Sequence, residues 1–130
     1  MTDEELMREA IRLSASAVES GNEPFGAVLA KDGQIAMTNE NQIYTRHDRT
    51  FHGEMGLIRR FVEETGVDDL SAYTLYSSTE PCFMCSGAMV WVHLGRLVYA
   101  ASNRDLGRTL VRRAATALRS CSRTLPGARR

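Results

Sequence analysis

Apolar positions in the first twenty residues recur at helical spacing. Leu6, Ala10, Leu13 and Ala17 make one stripe, with Met7, Ile11 and Val18 beside it. Thr2 and Glu5 have the spacing of a capping box that opens this helix, and Gly21 supplies its stop. The apolar run Phe25-Gly26-Ala27-Val28-Leu29-Ala30 follows. Lys31-Asp32-Gly33-Gln34 then leads into a returning strand from Ile35 to Asn39, because Asp-Gly between two apolar runs signals a hairpin. Residues 40–51 are polar, have no period and read as a loop. From His52 the pattern turns helical, with Met55, Ile58, Phe61 and Val62 on one face and Gly66 at the end. Ala72-Tyr73-Thr74-Leu75-Tyr76 is a β-type run. Pro81 suits the first position of a helix, and the segment from Cys82 to Leu94 is apolar on most sides. That predicts a buried helix stopped by Gly95. Leu97-Val98-Tyr99-Ala100-Ala101 is a further buried-type strand. Leu106, Leu110, Ala114, Ala117, Leu118 and Cys121 then fit one helical stripe, with Arg108, Arg112, Arg113 and Arg119 mostly off it. The order α-β-β-α-β-α-β-α predicts an α/β protein of three layers, α/β/α, around a mixed central sheet. Its first two strands are antiparallel and its later ones joined by helical crossovers.

Composition changes this picture at one place. The 130 residues are 43% apolar and 25% charged, an ordinary globular balance that excludes a disordered, collagenous or coiled-coil chain. The formal net charge is zero, but it joins two unlike regions. Residues 1–105 hold all 16 acids and 9 Lys/Arg, for −7; residues 106–130 hold 7 Arg and no acid, for +7. The expectation is a domain over 1–105 and a basic C-terminal helix or tail over 106–130 that belongs to it. The acidic start Met1-Thr2-Asp3-Glu4-Glu5 is unlike a signal peptide, and the apolar runs are too short to span a membrane. Three cysteines, two of them at CxxC spacing, do not form a secreted disulfide framework. A cytoplasmic protein with no membrane partner is expected.

Two segments carry chemistry: Thr50-Phe51-His52-Gly53-Glu54 and Glu80-Pro81-Cys82-Phe83-Met84-Cys85. Each precedes a helix. Cys82 and Cys85, at i and i+3, face the same way, and a helix N-terminus favours thiolate. Two thiolates and the His52 imidazole make three ligands for one tetrahedral Zn²⁺, leaving the fourth position for water. Glu54 supplies the group that takes a proton from that water and returns it to a leaving nitrogen. A regular helix does not put i and i+2 on one face, so His52 must sit in the first turn or just before it. The competing readings are a redox pair at the CxxC, and a structural zinc with Cys121 as fourth ligand. The second leaves Glu54 without a role.

This pair of motifs resembles the H-x-E…P-C-x-x-C signature of the cytidine-deaminase superfamily. The resemblance spans roughly residues 1–105. It includes Pro24-Phe25-Gly26-Ala27-Val28, Asp48 and Thr50 before His52, and Gly87-Ala88 with Trp91. It is strongest to the small guanine and cytosine deaminases, a nucleoside-deaminase branch of purine and pyrimidine metabolism. The resemblance implies the cytidine deaminase-like fold, one zinc per chain and a homodimer. It also implies a hydrolase that converts an amino-substituted nucleobase or nucleoside to the carbonyl compound plus ammonia. By the same resemblance Asn41, Gly53, Phe25 and Trp91 become substrate-binding candidates, with Trp91 also a candidate for the dimer interface. His52-Gly53-Glu54 looks like fungal cytosine deaminase, where most relatives read His-Ala-Glu. Tyr44, His47 and His93 read as surface or packing residues. The sequence departs from the pattern in two ways. Arg49 stands where many relatives have Pro, and no acid follows Asp105, where relatives place a C-terminal acidic segment that closes over the base. The tail is therefore either an altered end or an amphipathic surface helix that docks by its leucine stripe. Two other functions remain open on the sequence: a tRNA adenosine deaminase, favoured by the seven tail arginines but not by the acidic body, and a non-catalytic zinc-stabilised interaction module.

Overall fold

The computed structural model describes residues 1–102. The helix expected from Leu106 to Cys121, Asp105 and the boundary at residue 105 lie outside them. Within them the order is α1 (Asp3–Glu19), β1 (Gly26–Lys31), β2 (Gln34–Glu40), α2 (Gly53–Thr65), β3 (Thr74–Thr79), α3 (Phe83–Trp91) and β4 (Arg96–Ala101). The sheet runs β2-β1-β3-β4. β1 is antiparallel to both its neighbours, and β3 and β4 are parallel across the α3 crossover, so the sheet is mixed.

Helices cover both faces of the sheet. Leu6, Ala10 and Leu13 of α1 pack with Val28, Ala30 and Tyr76. On the other face Leu57, Ile58 and Phe61 of α2 and Met89 of α3 pack with Ala27, Leu29, Leu75 and Leu97. Alternate residues of β1 thus enter opposite cores, as strand pleating requires. The buried residues of α1 are the four of the expected stripe, and the capping box of Thr2 and Glu5 is formed. The hairpin turn places Asp32 and Gly33 at φ 52° and 74°, the left-handed pair its tight turn needs.

Three local expectations are corrected. The buried face of α2 is made by Glu54, Leu57, Ile58 and Phe61, while Met55 and Val62 are only half-buried. Pro81 stands one residue before the cap Cys82, outside the helix. And α3 is not enclosed: only Cys85, Ser86 and Met89 are buried, whereas Phe83 is 45% and Trp91 86% exposed. It ends at Trp91, where His93 takes the left-handed conformation (φ 57°). Gly95 serves a different need, since a Cβ there would lie 2.1 Å from the Ser71 carbonyl oxygen. Among the described residues no helix is long and apolar enough to cross a membrane.

The start of α1 is tied to the start of β4. Arg96 donates from both Nη atoms to Asp3 (3.0 and 2.6 Å), and the Tyr76 hydroxyl donates to the same carboxylate. The Arg96 and Tyr76 hydrogen bonds hold the Asp3 carboxyl down at about 2, against roughly 3.9 in an unfolded chain. A depressed carboxylate stabilises the fold above its unfolded pKa and loses that contribution as pH falls through its folded value. Asp3 is half exposed, so solvent screening cuts the nominal linkage to about 1 kcal/mol. Asp3→Asn is therefore expected to cost about 1 kcal/mol near neutrality. The deficit should shrink as pH drops from about 4 toward 2. Urea titrations of both proteins across that range check this; a deficit independent of pH would contradict it.

Candidate metal centre and active site

The two motif segments meet at the ends of two helices. His52 is the N-cap of α2 and Cys82 the N-cap of α3, both with extended backbones (φ −71°, ψ 163° and φ −74°, ψ 176°). Neither side chain caps its own helix. Each is turned instead toward the other, while its carbonyl accepts the first helical bond, from Gly56 and Ser86 (both 2.9 Å). His52 thus sits just before the helix, the position that lets it share a site with Glu54.

His52, Cys82 and Cys85 bring one ligand atom each to within 4.8 Å of one another, the one such three-residue group among the described residues. The Cys82 and Cys85 sulfurs lie 3.5 and 3.7 Å from His52 Nδ1. A tetrahedral zinc with ordinary Zn–N and Zn–S lengths separates nitrogen and sulfur ligands by about 3.6 Å, so the donor set fits the ion. The hydrogen bond to Cys82 is the main cause that raises His52. Cys82 is pulled down, first by the hydrogen bond from Cys85 and then by that from His52 despite burial, and Cys85 is held up. A bound dication favours the thiolate form of both sulfurs.

Glu54, in the first turn of α2, is 4% exposed and stands outside the ligand trio. Burial, and after it the charge of Cys82, raise its carboxyl to about 7. A carboxyl so placed exchanges a proton near neutral pH, which suits general acid–base work.

The backbone leading to His52 is fixed by Asp48, whose Oδ1 accepts from the Thr50 amide (2.9 Å) and hydroxyl (2.6 Å). This is an Asx turn, in which the side chain takes the place of a backbone carbonyl, and Phe51 N closes it further on the Asp48 carbonyl (3.0 Å). The structure brings Asn41, Phe25 and Gly53 together beside the trio. Asn41 N donates to the Phe25 carbonyl (2.9 Å), and the nearest atom to a Cβ built on Gly53 is that same carbonyl oxygen, at 3.5 Å. Asn41 is 1% exposed; its Oδ1 accepts from Ile43 N (3.2 Å), and its Nδ2 has no partner among the described residues. Trp91 is not brought to this group. It closes α3 at the end away from Cys82, about 13 Å along the helix. Tyr44, His47 and His93 are exposed, with Tyr44 bonded to Glu23 (2.9 Å). Cys121, the rival fourth ligand, lies outside the described residues.

One supporting residue had no reading from the sequence. Asn39 donates to the Gly53 carbonyl (3.0 Å) and accepts from Arg60 (3.1 Å), tying β2 to the first turn of α2. Its signal is a buried amide on a strand that is otherwise largely exposed.

Comparison with known proteins agrees with this geometry. Residues 1–101 match the family profile described as the cytidine and deoxycytidylate deaminase zinc-binding region. The chain is 38% identical over 106 residues to guanine deaminase of Bacillus subtilis, covering 81% of this chain and 68% of that protein. It is 36% identical over 103 residues to a probable cytosine deaminase of Schizosaccharomyces pombe, covering 77% and 60%. It is 31% identical over 107 residues to a tRNA-specific adenosine deaminase of Aquifex aeolicus, covering 82% and 71%. The X-ray structure of the Bacillus subtilis guanine deaminase superposes with a TM-score of 0.79 at 36% identity, over 84% of this chain and 70% of that one.

Proposed function

This chain belongs to the cytidine and deoxycytidylate deaminase family, and from that premise we propose that it hydrolyses the exocyclic amino group of a free guanine- or cytosine-type base or nucleoside. One water is consumed, the carbonyl product forms and ammonia leaves. The observation that carries this is the trio of His52 Nδ1, Cys82 Sγ and Cys85 Sγ with buried Glu54 at its side. The trio is the holder of zinc, which supplies a water activated for attack at neutral pH. Glu54 takes a proton at its carboxylate and delivers it to the departing nitrogen. Asn41 Nδ2, buried and without a partner among the described residues, is the donor for the ring of the base. Gly53 keeps the backbone beside the site bare, and Phe25 walls it. The small-base reading rests on the likeness to guanine and cytosine deaminases and on the −7 charge of residues 1–105, which repels a polyanion.

An ammonia-release screen of zinc-loaded protein over guanine, cytosine, adenine and their nucleosides tests the reading. Turnover of a free base or nucleoside supports it. Silence on all of them, with turnover of a tRNA anticodon stem-loop, replaces it with the tRNA reading, which the seven tail arginines and the Aquifex aeolicus relative favour. The non-catalytic module is tested at Glu54, below.

The exposed face of α3 bears on assembly. Phe83, Gly87 and Trp91 recur every four residues, and a Cβ on Gly87 would meet nothing within 4 Å. We assign this face to a second copy of the chain. Trp91→Glu is expected to shift sedimentation from dimer to monomer while leaving the circular dichroism unchanged, since buried aromatics dominate such contacts. A wild-type protein that sediments as a monomer, or a variant that stays dimeric, would refute the assignment.

A further inference from the structure

Glu54 has to stand at a fixed place beside the trio, yet the turn that carries it opens on a residue with no side chain. Gly53 begins α2, and a glycine leaves its adjoining peptide groups without the steric restraint that a Cβ supplies. The Gly53 carbonyl belongs to the same planar peptide group as the Glu54 nitrogen and Cα. Whatever holds that oxygen therefore sets the direction in which the Glu54 side chain leaves the backbone.

Among the described residues one side chain donates to it. Asn39 Nδ2 lies 3.0 Å from the Gly53 oxygen, in a buried hydrogen bond. Asn39 is 3% exposed and pairs with Ala27 in the register of β2 on β1, so the sheet fixes its backbone. Its amide can point only one way. Arg60 Nη1 lies 3.1 Å from both Asn39 Oδ1 and the Thr38 carbonyl oxygen, and a guanidinium has no acceptor. The amide oxygen must face Arg60, which turns the NH₂ group toward Gly53. Gly56 makes room for the contact. A Cβ there would lie 2.6 Å from Asn39 Nδ2, and 2.6 and 2.8 Å from two ring carbons of Phe51. Amide and ring thus rest on bare backbone, in the turn that the Gly56 amide closes on the His52 carbonyl (2.9 Å). Gly53, Gly56 and Arg60 recur at helical spacing and form the face of α2 turned to β2. Glu54 lies on the adjoining face with Leu57, Ile58 and Phe61.

We propose that Asn39 is a positioning residue for the proton transfer at Glu54. Oriented by Arg60, its amide locks the Gly53–Glu54 peptide group to the sheet and so keeps the Glu54 carboxyl beside the metal trio. The inference rests on the reading of Glu54 as the group that moves protons.

The test uses the zinc-loaded full chain. Asn39→Asp keeps an acceptor for Arg60 but sets an oxygen against the Gly53 oxygen. It is expected to lower kcat about thirtyfold and to move KM by less than about threefold, as misplacement of a reacting group does. Zinc content should equal that of the wild type. In the Glu54→Gln background the same change should leave the residual rate where it was, because the group being placed is gone; independent effects would multiply. The Glu54 amide nitrogen reports the contact without turnover, since it shares a peptide group with the Gly53 oxygen. Its NMR shift should move in Asn39→Asp while the signals of β3 and β4 stay in place. Arg60→Met, which frees the amide to rotate, should lower kcat about tenfold, and Arg60→Lys, which restores a donor for the amide oxygen, should recover most of that loss. If Asn39→Asp does not fold, Arg60→Met carries the same measurements. Wild-type kcat in both variants, an equal loss repeated in the Glu54→Gln background, loss of zinc, or an unmoved Glu54 shift would overturn the proposal. A wild-type protein that deaminates nothing would instead overturn the reading of Glu54 beneath it, and the role of Asn39 with it.

Discussion

Glu54→Gln is expected to keep its zinc and lose turnover by about three orders of magnitude, within the range measured for removing a general acid–base. The amide has the shape of the carboxyl but cannot accept a proton and hand it on. Glu54 lies outside the ligand trio, so metal content, measured on the purified protein, should equal that of the wild type. The deaminase reading and the interaction-module reading separate here, because a module has no turnover to lose. Circular dichroism should hold as well, because Gln keeps the volume of a side chain buried in the first turn of α2. A variant that retains wild-type ammonia release would remove Glu54 from the chemistry. Loss of zinc would make it a ligand instead.

Gly26→Ala should be the most damaging single-methyl change in the sheet. A Cβ at Gly26 would stand 2.3 Å from the Ala10 carbonyl oxygen and 2.7 Å from both Leu13 Cβ and Ser14 N. Two of those atoms are helix backbone, which no side-chain rotation can move. α1 must lift from β1, loosening the core of Leu6, Ala10, Leu13, Val28 and Tyr76. Overpacking of this kind costs about 3 kcal/mol, or about 15 °C of Tm in a domain of this size. Gly53→Ala is the matched control. Its Cβ would lie 3.5 Å from the Phe25 carbonyl oxygen, an ordinary contact, so a Tm change within about 2 °C is expected. Equal losses at both positions would show that close approach to α1 is not what Gly26 provides.

Local grammar was legible in the sequence. The stripe of Leu6, Ala10, Leu13 and Ala17 is the buried face of α1, and Asp32-Gly33 makes the turn assigned to it. The metal trio was legible because its donors are rare residue types at two marked helix starts. Even the irregular placement of His52 followed from needing Glu54 on the same side. What failed was judging exposure from composition. α3 is apolar on most sides, yet Phe83 and Trp91 face outward. An exposed apolar face and a core have the same residue types, and periodicity only separates one wet face from one dry one. The inward faces of α2 were misjudged because Glu54, a charged residue, is buried there. Asn39 escaped because its partners, the Gly53 carbonyl and Arg60, are assembled only when β2 meets α2. Helix ends set by one left-handed residue, as at His93, carry no composition signal either.

The placement of His52 and Cys82 as helix caps joins ligand chemistry to local unfolding. The carbonyls of these residues accept the Gly56 and Ser86 amides, so grasping their side chains also clamps the opening turns of α2 and α3. A ligand bound only by the folded form adds about 1.4 kcal/mol for each tenfold rise in its free concentration above Kd. That increment should enter hydrogen exchange unevenly. The Gly56 and Ser86 amides would slow with zinc activity, while β1 and β3 amides, closed by sheet pairing such as Leu29 with Leu75, would follow the global unfolding reaction. Chelation would thus first fray two helix starts, loosening the catalytic geometry while the sheet that carries it remains closed.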